Sequence, residues 1–134
     1  MCLNQLRLDF HPRRPVDVSF QGPQLSSDGG LVLIRALDDS LQLSQRIARL
    51  IPDHRNPLFT VHSRWEQTRQ RLFQIVQGYH DCNDAHALRH DPAFKITSDL
   101  LPKDHPLSSQ PTLCRFENAV DPLVLSRIIH RRCR

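Results

Sequence analysis

The sequence predicts a small, mainly α-helical domain with one short N-terminal β-strand. Only six Phe, one Trp and one Tyr supply large rings, so Leu, Ile and Val must fill most of the core. Helix-start signals also recur along the chain, several with a proline just inside the helix. A chain of 134 residues is about one domain in length. We expect two regions: an extended arm with a strand at residues 1–25, and a helical region at residues 26–134 with about five to seven short helices.

The predicted strand is the alternating segment Val16 to Phe20, which lies between Pro15 and Gly22. A period of two is typical of a half-buried strand. A single strand leaves its backbone groups unpaired, so this one requires a partner. Two partners remain open: another segment of this chain, or a sheet that these residues do not include.

Two helices are predicted to follow the arm. Residues 26–30 offer capping oxygens, and the apolar run 31–34 indicates a first helix that is mostly buried. The second helix has arginines on its outer face and ends at Pro52, before a loop at residues 53–62. Its apolar face comprises Leu43, Ile47, Leu50 and Ile51.

The clearest predicted element is a long helix that ends at Gly78. Ser63 and Glu66 have the spacing of a capping box, in which each side chain satisfies a backbone N–H of the other. One side of the helix is apolar: Val61, Trp65, Leu72, Ile75, Val76 and Tyr79. The other is polar but nearly uncharged: Gln67, Gln70, Arg71, Gln74 and Gln77.

Four shorter helices are predicted from cap signals. The first runs through Leu88 and the second through Ile96, and residues 98–107 form a loop before the third. The signals are Asn83, Asp91 with Pro92, Ser109 with Pro111, and Asp121 with Pro122.

The charge, the hydropathy and the cysteines of the chain indicate which classes of protein to consider. The net charge is +4, and arginines cluster at residues 13–14, 64–71 and 127–134. Such clusters either attract a polyanion or form an ordinary solvated surface. No apolar run approaches the roughly 20 residues of a membrane span. Four scattered cysteines without a C-x-x-C pair, and no secretory leader, indicate free thiols in the cytoplasm.

Neither a metal site nor a catalytic site is assigned. His80, Cys82, His86 and His90 are close in sequence, but the neighbouring acidic residues are equally readable as helix caps. The carboxylate pair Asp38 and Asp39 has no strand to carry it, and we expect it at a solvated helix end. No cofactor is expected within these 134 residues.

The stretch "LSSQPTLCRFENAV", residues 107–120, raises a question because hydrogen-bonding groups crowd a short helix. Leu113, Phe116 and Val120 share one face and should be buried, which leaves Thr112, Arg115 and Asn118 toward solvent. A helix N-terminus presents free N–H groups to a phosphate. Either this helix contacts nucleic acid, or it is an ordinary capped helix.

Three blocks, "LSSDGGLVLIRALDD", "QRLFQIVQGYHDCNDAHALRHDPAFK" and "LSSQPTLCRFENAV", occur here in order. Together they resemble the N-terminal part of insertion-sequence transposases of the DDE type, the family called thirteen-eighty, from Val16 to about Ile129. The resemblance implies a ribonuclease-H-like catalytic core that uses magnesium held by two aspartates and a glutamate. No residue here matches a catalytic position, since the first catalytic aspartate of the family lies on a strand beyond the "FENAV" helix.

The resemblance therefore implies a truncated, catalytically inactive part of a transposase that retains at most DNA binding at element ends. The expected DNA contacts are Ser109, Gln110, Thr112, Arg115 and Asn118, with Arg64 and Arg71 as phosphate partners. The alternative is a helical interaction module, a homo-oligomer without DNA affinity.

Overall fold

The computed structural model describes residues 5–19 and 28–130. Within those ranges the chain forms a two-stranded sheet and seven α-helices, which confirms the prediction of a mainly α domain with an N-terminal strand. The strands are β1 (Gln5–Leu8) and β2 (Val16–Ser19). The helices are α1 (Leu31–Leu41), α2 (Leu43–Ala48), α3 (Arg64–Val76), α4 (Ala85–Leu88), α5 (Pro92–Thr97), α6 (Gln110–Asn118) and α7 (Pro122–His130).

The predicted strand finds its partner within the chain, in β1. The two strands pair antiparallel, with Leu8 opposite Val16, so a partner in a catalytic core is not needed. The strand β1 was not predicted, although its residues alternate polar and apolar side chains as those of β2 do. The hairpin docks on the helices through an ion pair between Arg13 and Asp104. Phe20 and the predicted boundary at residue 25 lie outside the described residues.

The expectation that α1 is mostly buried is wrong. Its leucines at positions 33, 37 and 41 are about half exposed, whereas the polar Arg35 and Asp38 are buried. Asp38 caps the next helix, because its carboxylate accepts the Ser44 backbone N–H at 2.8 Å and the Ser44 hydroxyl at 2.6 Å. Asp38 is therefore a buried cap, not the solvated helix end that we expected.

A buried network of charges joins α1, α3 and the turn after α5. Arg35 Nε lies 2.9 Å from Asp39 Oδ2, and Arg69 Nη1 lies 2.8 Å from Asp99 Oδ2. Arg69 Nε also lies 3.5 Å from Asp38 Oδ2. Buried charges require such partners, since an unpaired ion in the interior is costly. The carboxylates of the Asp38–Asp39 pair are thus committed to arginines.

The buried apolar side chains of the described residues form three clusters, of which the smallest consists of Cys82, Ala85 and Leu113. The predicted face of α2 packs against α6 and α7, where Ile51, Phe116 and Val124 are buried together. Another cluster joins α1, α3, α4 and α5 to the segment that leads into α6, and consists of Leu31, Phe73, Leu88, Phe94 and Leu107. Most of these side chains are aliphatic, as the composition predicted.

The helix α3 begins with the predicted capping box. The Ser63 hydroxyl accepts the Glu66 N–H at 3.2 Å, and the Glu66 carboxylate accepts the Ser63 N–H at 2.6 Å. The helix ends at Val76, and Gly78, at φ +94°, reverses the chain in the left-handed conformation that favours glycine.

Unexpectedly, the polar side of α3 is the buried one. Ile75 and Val76 are about half exposed. The buried residues of the helix are Gln67, Thr68, Arg69, Gln70, Arg71, Phe73 and Gln74. Arg69, Gln70 and Arg71 bond to segments outside the helix, and Gln67, Thr68 and Gln74 bond to residues of the helix itself. These bonds offset much of the cost of burying the polar side.

Two of the four predicted caps of the shorter helices, Asp91 and Asp121, are confirmed. Asp91 accepts the N–H groups of Ala93 and Phe94, and Asp121 accepts that of Leu123. Asp81, rather than Asn83, caps the turn of 3-10 helix that precedes α4. The predicted loop at residues 53–62 contains another such turn, Pro57–Phe59.

Candidate nucleic-acid interface

The position of α6 is fixed at its start by a glutamine of α3. Gln70 Nε2 donates to the Ser108 carbonyl at 3.0 Å, and Gln70 Oε1 accepts the Ser108 N–H at 2.9 Å. Both groups of the amide are thereby satisfied by one backbone residue, in the interior. Ser108 immediately precedes Ser109, the N-cap residue of α6, so this pair fixes the chain where the helix starts.

The last turn of α6 is held by Arg71, which lies on α3 as Gln70 does. Its guanidinium bonds to the Glu117 carboxylate and donates to the carbonyls of Tyr79 and His80 at 3.1 and 2.5 Å. Two fixed points, one at each end, orient α6 on the body of the domain. The buried polar side of α3 therefore acts as the seat of α6.

The exposed side of α6 carries two of the predicted DNA contacts. Arg115 and Asn118 are exposed, and neither side chain has a hydrogen bond or ion pair within the described part of the chain. Leu113 and Phe116 are buried on the opposite side, as predicted, and Val120 is half-buried. A cation and an amide without protein partners remain available to an external ligand.

The three predicted contacts at the start of α6 are partly buried. The Ser109 hydroxyl bonds to the Thr112 hydroxyl at 2.9 Å and caps no backbone N–H, contrary to the helix-start signal. Gln110 Nε2 donates to the side-chain oxygen Oδ1 of Asn83 and to Cys114 Sγ, both at 3.4 Å. The first N–H groups of α6 therefore have no side-chain cap.

Arg64 and Arg71, the predicted phosphate partners, point into the protein. Their side chains are 13 % and 10 % exposed. Arg64 Nε lies 3.5 Å from Asp53 Oδ1, and its guanidinium stacks on Phe116 with 5.6 Å to the ring centroid. The structure thus separates these two arginines from Arg115 and Asn118, which face outward.

A cleft of about 310 Å³ opens beside the first turn of α6. Ser109 and Thr112, both predicted contacts, lie in its wall. The remaining lining residues are Val61, His62, Arg89, His105, Pro106 and Leu107. Three of them are basic side chains from three separate segments, and none of the lining residues is acidic. Nothing in the sequence signals that these segments meet.

The surroundings of His62 in the cleft disfavour its protonated form. Burial lowers the pKa of His62, Glu66 opposes this effect, and the charges of His105, Arg89 and Arg55 add to it. The rings of His62 and His105 lie 5.8 Å apart between centroids. Arg89 supplies the permanent positive charge, and its side chain has no hydrogen bond or ion pair within ranges 5–19 and 28–130.

Comparison with known families accounts for nearly the whole chain. The family model described as Transposase DDE domain group 1 matches residues 8–132. The chain belongs to this DDE transposase family. A search of curated proteins and a search of solved structures each found no match. For the residues that the structure describes, no helix is both long enough and apolar enough to cross a membrane.

In this DDE transposase, the histidine and cysteine segment forms no cluster. Cys82 is buried beside Cys114, both as free thiols, while His80, His86 and His90 are exposed. Burial, followed by the hydrogen bond to Glu117, raises the pKa of Cys82 to about 12. Across the described ranges, no group of three or more His, Cys, Asp and Glu side chains is arranged to hold a metal ion.

Proposed function

We propose that this member of the DDE transposase family binds DNA during transposition, and that the exposed side of α6 makes the contacts. The observation that carries the proposal is the outward pair Arg115 and Asn118 on a helix fixed at both ends. Arginine can fork onto guanine or phosphate, and asparagine onto adenine. A helix held at Ser108 and Glu117 loses little further freedom on binding.

Gln110, Ser109 and Thr112 complete the proposed surface at the start of α6. Their donors and the uncapped N–H groups lie beside the basic cleft, where a negative charge is favoured. We assign Arg64 and Arg71 to the support of this surface, because both are committed to protein partners.

At the finer level, we propose membership of the thirteen-eighty insertion-sequence family and recognition of element ends, on the strength of the three sequence blocks. We also propose that residues 1–134 have no strand-transfer activity alone. Asp38, Asp39 and Asp99 support this, since each is paired with a buried arginine and none is available to magnesium. Incubation with element-end DNA and magnesium tests it, and nicking by the purified chain would contradict it. The setting is cytoplasmic, at the nucleoid when DNA is bound.

The decisive experiment measures the salt dependence of binding to element-end duplexes. Arg115→Ala should weaken affinity about tenfold and lower the slope of log K against log salt by about 0.9, the value for one phosphate contact. Arg49→Ala is the matched control. Arg49 follows α2, whose apolar face packs on the buried side of α6, and it should leave both quantities unchanged. Wild-type affinity and slope in Arg115→Ala would remove α6 from the interface.

The second candidate is self-association, and the leucine stripe of α1 favours it. Leu33, Leu37 and Leu41 recur every four residues and are about half exposed. Apolar helix faces of this kind are typical of association surfaces. Sedimentation at increasing protein concentration, without DNA, distinguishes the two functions, because only self-association predicts a rising mass that Leu37→Ser prevents.

A further inference from the structure

We infer that the cleft at the start of α6 is a binding site for a phosphate group, with Arg89 as its principal cationic ligand. The inference deepens the proposed function, since a DNA backbone would supply the phosphate. It rests on the contents of the cleft and on the lack of an acidic residue among those that line it.

The lining of the cleft carries basic side chains and no acidic ones. Arg89, His62 and His105 converge on one cleft of about 310 Å³, and no carboxylate belongs to the wall. Elsewhere in the described ranges, buried arginines are matched by acids: Arg69 with Asp99, and Arg35 with Asp39. Arg89 has no such match, although its Nε is inaccessible to solvent. A buried guanidinium nitrogen without a partner indicates that an external anion completes the site.

The wall of the cleft also contains neutral hydrogen-bond donors. Ser109 and Thr112 contribute hydroxyls to the same wall, and the nine-residue helix α6 begins there without a side-chain cap. Hydroxyls, N–H groups and a guanidinium are the donors that phosphate oxygens accept in proteins. Leu107 and Pro106 supply an apolar part of the wall beside these donors.

The imidazoles of His62 and His105 lie close together in the wall of the cleft. His62 faces Arg89, His105 and Arg55, and only Glu66 opposes these positive charges. A bound dianion would reverse this balance and favour the protonated ring. Protonation of His62 therefore reports occupancy of the cleft, because a bound phosphate favours the charged ring and makes it a further donor.

NMR titration of the histidine side chains tests the inference. With inorganic phosphate, and separately with a duplex, the pKa of His62 should rise relative to the free protein. Arg89→Gln should weaken phosphate binding about tenfold or more, because it removes a charge-assisted bond. Arg89→Lys, which keeps the charge, should recover part of the affinity, and Arg49→Gln is the control for loss of one exposed charge.

The two sources of phosphate are separated by competition. If the backbone of DNA occupies the cleft, inorganic phosphate should compete with the duplex and Arg89→Gln should lower the salt slope of duplex binding by about 0.9. If a free phosphate or nucleotide is the ligand, the small anion should bind without displacing the duplex. Both outcomes support a phosphate site.

The inference is overturned if neither inorganic phosphate nor the duplex changes the His62 signals. It is also overturned if folded Arg89→Gln binds both as the wild type does. Either result leaves DNA binding through Arg115 intact, because that contact is judged from a different variant. Backbone amide spectra of each variant establish that it is folded, so a loss of binding cannot be attributed to unfolding.

Discussion

Replacing Arg71 with alanine should lower the free energy of unfolding by about 3 kcal/mol. It should leave the salt slope of DNA binding by α6 unchanged. The side chain is only 10 % exposed and donates to two backbone carbonyls, those of Tyr79 and His80. Each bond from a charged donor contributes about 1.5 kcal/mol. Glu117 is 41 % exposed, so its carboxylate can return to water and the ion pair adds about 0–1 kcal/mol.

Urea unfolding followed by circular dichroism measures this change. With a slope of about 2 kcal/mol/M for a domain of this size, a loss of about 3 kcal/mol moves the midpoint by about 1.5 M. Glu117→Gln should cost less than about 1 kcal/mol, and Arg49→Ala, at an exposed site, less than about 0.5 kcal/mol. The pattern separates the loss of buried carbonyl bonds from the loss of a surface charge.

The same variant also separates the two roles considered for Arg71. A phosphate contact would lower the salt slope of DNA binding by about 0.9, whereas a support residue leaves the slope unchanged in the folded protein. A loss of stability below about 0.5 kcal/mol together with a reduced slope would refute the reasoning, and would return Arg71 to the DNA interface that the sequence suggested.

Three further predictions concern the cap of α3, the thiol beside α6 and the cleft. Ser63→Ala should cost about 1 kcal/mol in urea unfolding by removing the capping box; no loss would contradict its role. Because the pKa of Cys82 is raised to about 12, iodoacetamide should alkylate it slowly in the native protein and rapidly in urea; equal rates would contradict this. Since burial lowers the pKa of His62, its neutral form contributes stability above the ordinary value of 6.5, and this is lost as the pH falls toward the native pKa. The free energy of unfolding of His62→Asn should show a weaker decline with acid, and an identical decline would rule out this contribution.

Local signals predicted the helices because the interactions that start a helix span only a few residues. Ser63 with Glu66, Asp91 and Asp121 all act as the sequence indicated. The strand β2 was predicted for the same reason, from its alternation. Its partner β1 was missed although "QLRL" alternates in the same way, so the signal for it was present in the sequence.

The orientation of α3 could not be predicted from its own residues. Periodicity identifies two faces, but which face is buried depends on partners far along the chain. Gln70 meets Ser108 and Arg69 meets Asp99, separations of 38 and 30 residues. A polar face can be buried where most of its groups find such partners. The cleft was missed on the same grounds, because His62, Arg89 and His105 belong to three segments.

The distribution of charge bears most directly on function. Sequence clustering at residues 64–71 suggested a basic patch, yet Arg64, Arg69 and Arg71 are all directed to acidic or carbonyl groups of the protein. A cation paired at close range contributes little to the field felt by an approaching polyanion. In the described part of the chain, that field comes instead from arginines that stand singly in the sequence, such as Arg89 and Arg115. An unpaired arginine, rather than a run of them, is therefore the feature that identifies the candidate DNA surface of this transposase.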